Sequence, residues 1–303
     1  MKTLLSRLAN PFCITGTNRN ALHQAAEAKN LQVMELVFSI PVHPTQGWFD
    51  IDLQDEYGET PLHVAVYGKS ADSVRCVEML LAKGARRDLP REGDLAVPLH
   101  MAGWAEENVK PSIVDLLSAD RGSHINALDR RGRSPIFSLL NNPDSVKILL
   151  ARGADTSIRD SDGMTTLHAA CIEDQLVTLK NLIDKSRPEY WTCGDKGGYS
   201  PLAKALECNS VECAKHLLDI GAIGDLNGKD GFTLVHRAID LGDADFLKAS
   251  FEHPTFRKGT RTPDNMTIME FAGRKGKFKG RIADLIIFYE SYAPWLVTEE
   301  SLS

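Results

Sequence analysis

Apolar residues recur at three- and four-residue steps in "DSVRCVEMLLAKGA" (72–85), "DSVKILLARGA" (144–154) and "SVECAKHLLDIGA" (210–222). That is the period of a helix with one buried face, so each stretch predicts an amphipathic helix. Each also closes on Gly-Ala, placing a glycine where a left-handed residue ends a helix. A shorter apolar hexapeptide stands upstream: "TPLHVA" (60–65), "SPIFSL" (134–139) and "SPLAKA" (200–205). Proline in its second position suits a helix's first turn, where a missing N–H costs nothing and φ is already set. The preceding Thr or Ser can cap the exposed N–H groups. Before the hexapeptides lie turn segments with acidic, Asn and Gly residues, such as "DLQDEYGE" (52–59), "NALDRRGR" (126–133) and "IRDSDGM" (158–164). The pattern predicts a turn, a short helix, a second helix and a return.

The hexapeptide also recurs as "NALHQA" from Asn20, "VPLHMA" from Val97, "TTLHAA" from Thr165, "TLVHRA" from Thr233 and "TIMEFA" from Thr267. Its eight copies, near 20, 60, 97, 134, 165, 200, 233 and 267, follow at offsets of 40, 37, 37, 31, 35, 33 and 34 residues. Such a period marks a linear repeat architecture. The pattern resembles the ankyrin repeat, whose marker is a Thr-Pro-Leu-His-x-Ala stretch opening the first of two antiparallel helices. The resemblance covers about residues 17–294, after a lead-in (1–16) and before a tail (295–303). It implies an all-α solenoid of about eight helix-turn-helix repeats with projecting hairpin loops. Neighbouring units stabilise one another there, because no unit buries its apolar face alone. It also implies a concave face, formed by loop tips and first helices, that holds another protein.

Departures from the pattern mark where units differ. The copies at 134–139 and 200–205 carry Phe137 and Ala203 in place of histidine, and the copy at 267–272 carries Glu270. Terminal repeats diverge because one face meets water. The linker "PVHPTQGWFDID" (41–52), with Trp48, and the loop "AEENVKPS" (105–112) are longer than the pattern needs. Both are expected as surface insertions that an array tolerates.

Charge changes the picture at one end. The chain is net −6, yet Arg257 to Arg281 holds eight basic residues against two acids. The segment is expected as a solvated end cap. The alternative is a docking patch for anionic membrane or nucleic acid through Arg274, Lys275, Lys277, Lys279 and Arg281. The helix "RIADLIIFYESYAPWL" (281–296) has more apolar residues than a water-facing cap requires, so some of Ile286, Ile287, Phe288, Tyr289, Tyr292 and Trp295 are expected to face a partner or the tail.

Candidate chemistry reduces to packing. His23, His63, His100, His168 and His236 share one register. A catalytic or metal role needs partners specific to one site, so these imidazoles are expected to bridge backbone groups and brace the turns. Cys193, Cys208, Cys213 and His216 could be drawn into a zinc site, since Cys213 and His216 are three apart on one helix. But Cys76 holds the position of Cys213 with Met79 where the histidine would be, the mark of a small buried hydrophobe. There is no Gly-x-Ser-x-Gly elbow, Gly-rich phosphate loop or His-Glu-x-x-His. No catalytic residue, metal or cofactor is expected; a cryptic enzyme in an atypical linker or the C-terminal repeat is the remaining alternative. The first residues are too interrupted for a secretory apolar core, and no stretch approaches the roughly 18–20 apolar residues that span a bilayer. Six cysteines without a paired framework point to a reducing cytoplasmic or nuclear compartment, a host cell's included if the chain is a pathogen's effector.

The expected function is an adaptor, scaffold or effector that recognises a partner protein. Tyr57, Tyr67, Trp104, Arg131, Arg133, Met164, Tyr199 and Phe232 fall at turn-tip and inner-helix positions. Tyr, Trp and Arg are the types that dominate interface energetics.

Overall fold

The computed structural model describes residues 14–40, 50–67, 71–104, 111–120, 122–222, 232–252 and 259–292. Trp48 and residues 105–110 of the two long loops lie outside them, as do Arg257, Lys258 and Trp295. The chain is all-α and divides into two compact units, Met1–Ser161 and Asp162–Ser303. Among the described residues the backbone forms no strand beyond one isolated bridge, Arg261 to Thr267.

The first unit holds four helix pairs: α1 (Ala21–Glu27) and α2 (Leu31–Ser39), α3 (Pro61–Val66) and α4 (Ala71–Ala82), α5 (Pro98–Trp104) and α6 (Pro111–Leu117), α7 (Pro135–Ser138) and α8 (Pro143–Ala151). First helices pack on first helices, α1 on α3, α3 on α5 and α5 on α7; the second helices stack in the same order. The second unit repeats the plan with α9 (Thr166–Ile172) and α10 (Leu176–Ile183), α11 (Pro201–Glu207) and α12 (Val211–Asp219), α13 (Leu234–Leu241) and α14 (Ala244–Glu252), α15 (Ile268–Arg274) and α16 (Gly280–Tyr292). Here α9 packs on α11, α11 on α13 and α13 on α15.

The core follows from the hexapeptide. Its third residue is fully buried in Leu22, Leu62, Leu99, Ile136, Leu167 and Leu202, each worth roughly 1.5–3 kcal/mol of apolar burial. The equivalent Met269 in the last repeat is 41% exposed, because no further repeat lies against it among the described residues. The sixth residue is small and buried, as in Ala65, Ala102, Ala170, Ala205, Ala238 and Ala272, so adjacent helices approach closely. Cys76 and Cys213 are both fully buried, as their shared register predicts.

Among the described residues, five first helices are followed by a left-handed residue nine positions after the hexapeptide begins: Lys29, Asp174, Asn209, Gly242 and Gly276. The non-glycine residues there are polar, and Lys29 offsets its strained backbone by donating through Nζ to the carbonyls of Val64 and Ala65, both at 3.0 Å. Second helices close on Gly84, Gly153 and Gly221 at φ +89, +93 and +74°.

Candidate partner-binding surface

The recurring histidine is a backbone clamp with two different ends. His63 Nε2 lies 3.2 Å from the Ala96 carbonyl oxygen, an atom that only accepts, so the imidazole proton sits on Nε2. Nδ1 then accepts from the Thr60 N–H at 3.1 Å, while the Thr60 hydroxyl caps the His63 N–H. This is a capping box in which histidine does what Glu or Gln usually does. The other end ties one repeat to the next. The same rung joins His23 to Glu59 O, His100 to Arg133 O and His168 to Tyr199 O, each at 2.9 Å. Burial holds the His63 pKa down at about 4, so the ring is neutral at ordinary pH.

The rung is absent in the seventh copy. Thr233 N–H still donates to His236 Nδ1 at 3.3 Å, but the fully buried Nε2 has no hydrogen-bond partner among the described residues. The ring instead meets Phe271 edge-on, with centroids 5.2 Å apart at 83°. Burial keeps this histidine near 4 as well. In the eighth copy Glu270 takes over the cap, accepting from Thr267 N–H at 2.8 Å. In the fourth, where Phe137 replaces histidine, the buried Ser134 Oγ has no hydrogen-bond partner among the described residues.

The hairpin tips share one construction. The Asp55 N–H donates to Glu59 O at 2.9 Å, and Asp55 Oδ1 accepts from Tyr57 N and Glu59 N. Asp129 and Asp195 close their turns in the same way. Where the tip is described, a left-handed residue stands two before the hexapeptide, Gly58, Gly132, Gly163 and Gly198 among them. At Gly58 a Cβ would come within 2.5 Å of Glu92 N, so only glycine fits. Leu95 occupies the same place at φ +62°, a conformation costing a leucine roughly 1–2 kcal/mol. Successive tips are joined by main chain: Glu56 N donates to Thr17 O at 3.1 Å, Arg130 N to Asp94 O and Ser161 N to Arg131 O at 2.7 Å, and Lys196 N to Asp162 O at 2.9 Å.

A charged ladder runs beside the first unit's tips. Arg19 pairs with Asp55 at 2.8 Å and reaches Glu59 at 3.8 Å; Glu59 pairs with Arg91 at 2.8 Å, and Arg91 pairs with Asp94. The Asp94 contact and the Glu59 bond hold the Arg91 guanidinium pKa above its ordinary value. Its face covers Trp104 at 5.5 Å, and Nη1 donates to the Tyr67 hydroxyl at 3.4 Å. Burial, helped by Glu59, pushes the Tyr67 phenol up to about 12.

The eight residues expected to contact a partner are therefore distributed unevenly. Tyr67 and Trp104, seven places into successive hexapeptide registers, are brought together through Arg91. Tyr57 stands apart at its tip, 62% exposed. Arg131 is exposed at the fourth tip, whereas the Arg133 guanidinium forks onto Asp129 at 3.0 and 3.1 Å. In the second unit Met164 is half-buried, and Tyr199 lies under Lys204 Nζ at 4.5 Å. Phe232 packs on its own unit, 5.6 Å from Phe271. Arg19, Glu59 and Arg91 escaped sequence reasoning, although opposite charges one repeat apart, 36 residues for Arg19 and Asp55 and 32 for Glu59 and Arg91, are a usable signal.

Three cations of the basic segment are neutralised within the chain: Lys275 by Asp240 at 2.7 Å, Arg281 by Asp245 at 2.7 Å and Arg274 by Asp264 at 3.8 Å. Among the described residues no ion pair engages Lys277 or Lys279. On α16, Ile286 and Tyr289 turn inward, the tyrosine stacked on Phe251 at 4.7 Å and donating to Glu252 at 2.8 Å. Ile287 and Phe288 stay exposed.

Comparison with known proteins agrees with this architecture. The B-cell lymphoma 3 protein homolog of Mus musculus is 30% identical over 198 residues, covering 62% of this chain and 42% of that protein. The transient receptor potential cation channel subfamily A member 1 of Homo sapiens is 26% identical over 212 residues, 66% of this chain and 18% of the channel. A tyrosine-protein kinase of Hydra vulgaris is 28% identical over 190 residues, 61% and 25% of the two chains. The chain thus spans less than half the length of each of these relatives. In fold it is similar to one chain of a solved complex between a predatory endopeptidase from Bdellovibrio bacteriovorus and an immunity protein, with a TM-score of 0.51, 23% identity, and 61% and 91% of the two chains covered. The family model for ankyrin repeats (3 copies) matches residues 1–91, 99–189 and 136–229, and on that match, over well more than half its length, the chain belongs to the ankyrin-repeat family.

Proposed function

We propose that the chain is a non-enzymatic recognition module that seats a partner protein on the hairpin tips and first helices of its first unit. Ankyrin repeats generally mediate protein–protein interaction, and the solved chain of like fold is one of the two in a complex of an endopeptidase with an immunity protein. The observation that carries the reading is the aromatic surface of that unit. Tyr57 and Tyr67 are 62% and 39% exposed, and Trp104 is held half-buried beside Tyr67 by Arg91. Rigid, partly exposed aromatics with a polar end are the usual anchors of an interface. The alternative docking patch at 257–281 has less to offer, since three of its cations already answer acids of the chain.

The test is the pair Tyr57→Ala and Trp104→Ala, used in affinity capture from cell lysate. The double variant keeps the wild-type circular dichroism and captures the partner at least about tenfold less well, one anchor's worth of affinity. Undiminished capture would count against the reading.

A further inference from the structure

The second and third hairpin tips flank an open cleft of about 450 Å³ lined by Glu56, Tyr57, Arg91, Glu92, Gly93 and Asp94. Its width is fixed by the main chain, because the tips touch where Gly58 faces the Glu92 N–H. The Tyr57 ring is largely exposed at this cleft, and among the described residues no aromatic or cationic side chain covers it.

Arg91, the lining cation, is already committed. Its donors go to Asp94, Glu59 and Tyr67, and its face lies on Trp104. Glu56 and Glu92 are exposed and carry no ion pair among the described residues. Arg130 on the next tip is exposed and approaches Asp94 only through its own N–H. The cleft therefore offers one open aromatic face and two carboxylates without an ion pair among the described residues, Glu56 accepting a hydrogen bond from the Tyr57 hydroxyl. An anionic ligand would be repelled by both. A chelated metal ion is a poor match, since no three His, Cys, Asp or Glu side chains among the described residues converge closely enough to hold one.

What fits is a long apolar stem ending in a cation, with the stem against Tyr57 and the charge between Glu56 and Glu92. We propose that this cleft receives a lysine or arginine side chain of the protein partner. The assignment rests on the recognition reading above and supplies the chemistry that the partner must present.

Random dodecapeptides displayed on phage and selected on the intact chain test it. The selected pool should be enriched in Lys and Arg. Individual peptides from it should bind about 3- to 10-fold more weakly to Tyr57→Ala and to the double variant Glu56→Gln with Glu92→Gln, and more weakly as sodium chloride is raised. All three positions are exposed, and matched unfolding midpoints confirm intact variants. Peptides that bind wild type and the Gln variant equally overturn the cleft assignment but leave protein recognition standing. A wild-type selection with no enrichment over background counts against both.

Discussion

His63 and His236 occupy the same register, cap the same helix turn and are both held neutral by burial, yet only His63 grips the following repeat. The difference is one hydrogen bond, from Nε2 to Ala96 O, replaced at His236 by the edge of Phe271. A helix cap and a link between repeats are thus separable functions of a single imidazole. The cap survives with a partner three residues away; the link needs a carbonyl delivered by the next repeat.

Acid acts on both sites and gives the largest expected effect. Both histidines have folded pKa values of about 4 against about 6.5 when unfolded. The unfolded chain therefore binds protons first, so this stability is fully present above pH 6.5 and is lost as the pH falls toward 4. His63 alone should account for a loss on the order of 3 kcal/mol across that window. Urea unfolding at a series of pH values checks it, and a His63→Leu variant should show a shallower slope.

Single substitutions then distinguish the rungs. His63→Ala leaves the Thr60 N–H and Ala96 carbonyl without their partner and should cost about 2–4 kcal/mol, whereas His236→Ala, with no Nε2 bond to lose, should cost about 1 kcal/mol less. Unfolding resolved by hydrogen exchange assigns each loss to its own unit; equal losses would contradict the missing rung. The smallest effect is the sharpest. His236→Phe removes an orphaned nitrogen and should cost about 1 kcal/mol or less, while His63→Phe should cost about 2 kcal/mol. Phe137 already fills this register in the fourth repeat. Equal costs at the two sites would show that Nε2 of His236 has a partner after all.

The fold was legible because its unit is local. Helix period, the Ser or Thr cap, proline in the first turn and the closing glycine all lie within one repeat, and eight copies in register leave little freedom. The histidines were legible as braces for the same reason, but not their unequal ends: the Ala96 carbonyl stands 33 residues from His63, and nothing local distinguishes it from the contact His236 lacks. For the candidate surface, sequence position conveys exposure better than it conveys neighbours. Tyr57 and Tyr67 are exposed as their positions suggest, but Phe232 spends its ring on Phe271 and Arg133 its fork on Asp129. Side chains at one register share a location, not a set of neighbours. Arg91 organises two of the aromatics and went unrecognised because its role lies in pairs formed with the preceding repeat.

Main-chain N–H to carbonyl bonds string the hairpin tips together, Glu56 to Thr17 and Arg130 to Asp94 among them. Any residue except proline supplies that N–H, so the scaffold places almost no demand on what Glu56, Tyr57, Glu92, Arg130 or Arg131 actually are. Specificity and stability can then drift independently: a lineage, or a designer, can rewrite what the tips recognise one codon at a time while the stack beneath them stays the same.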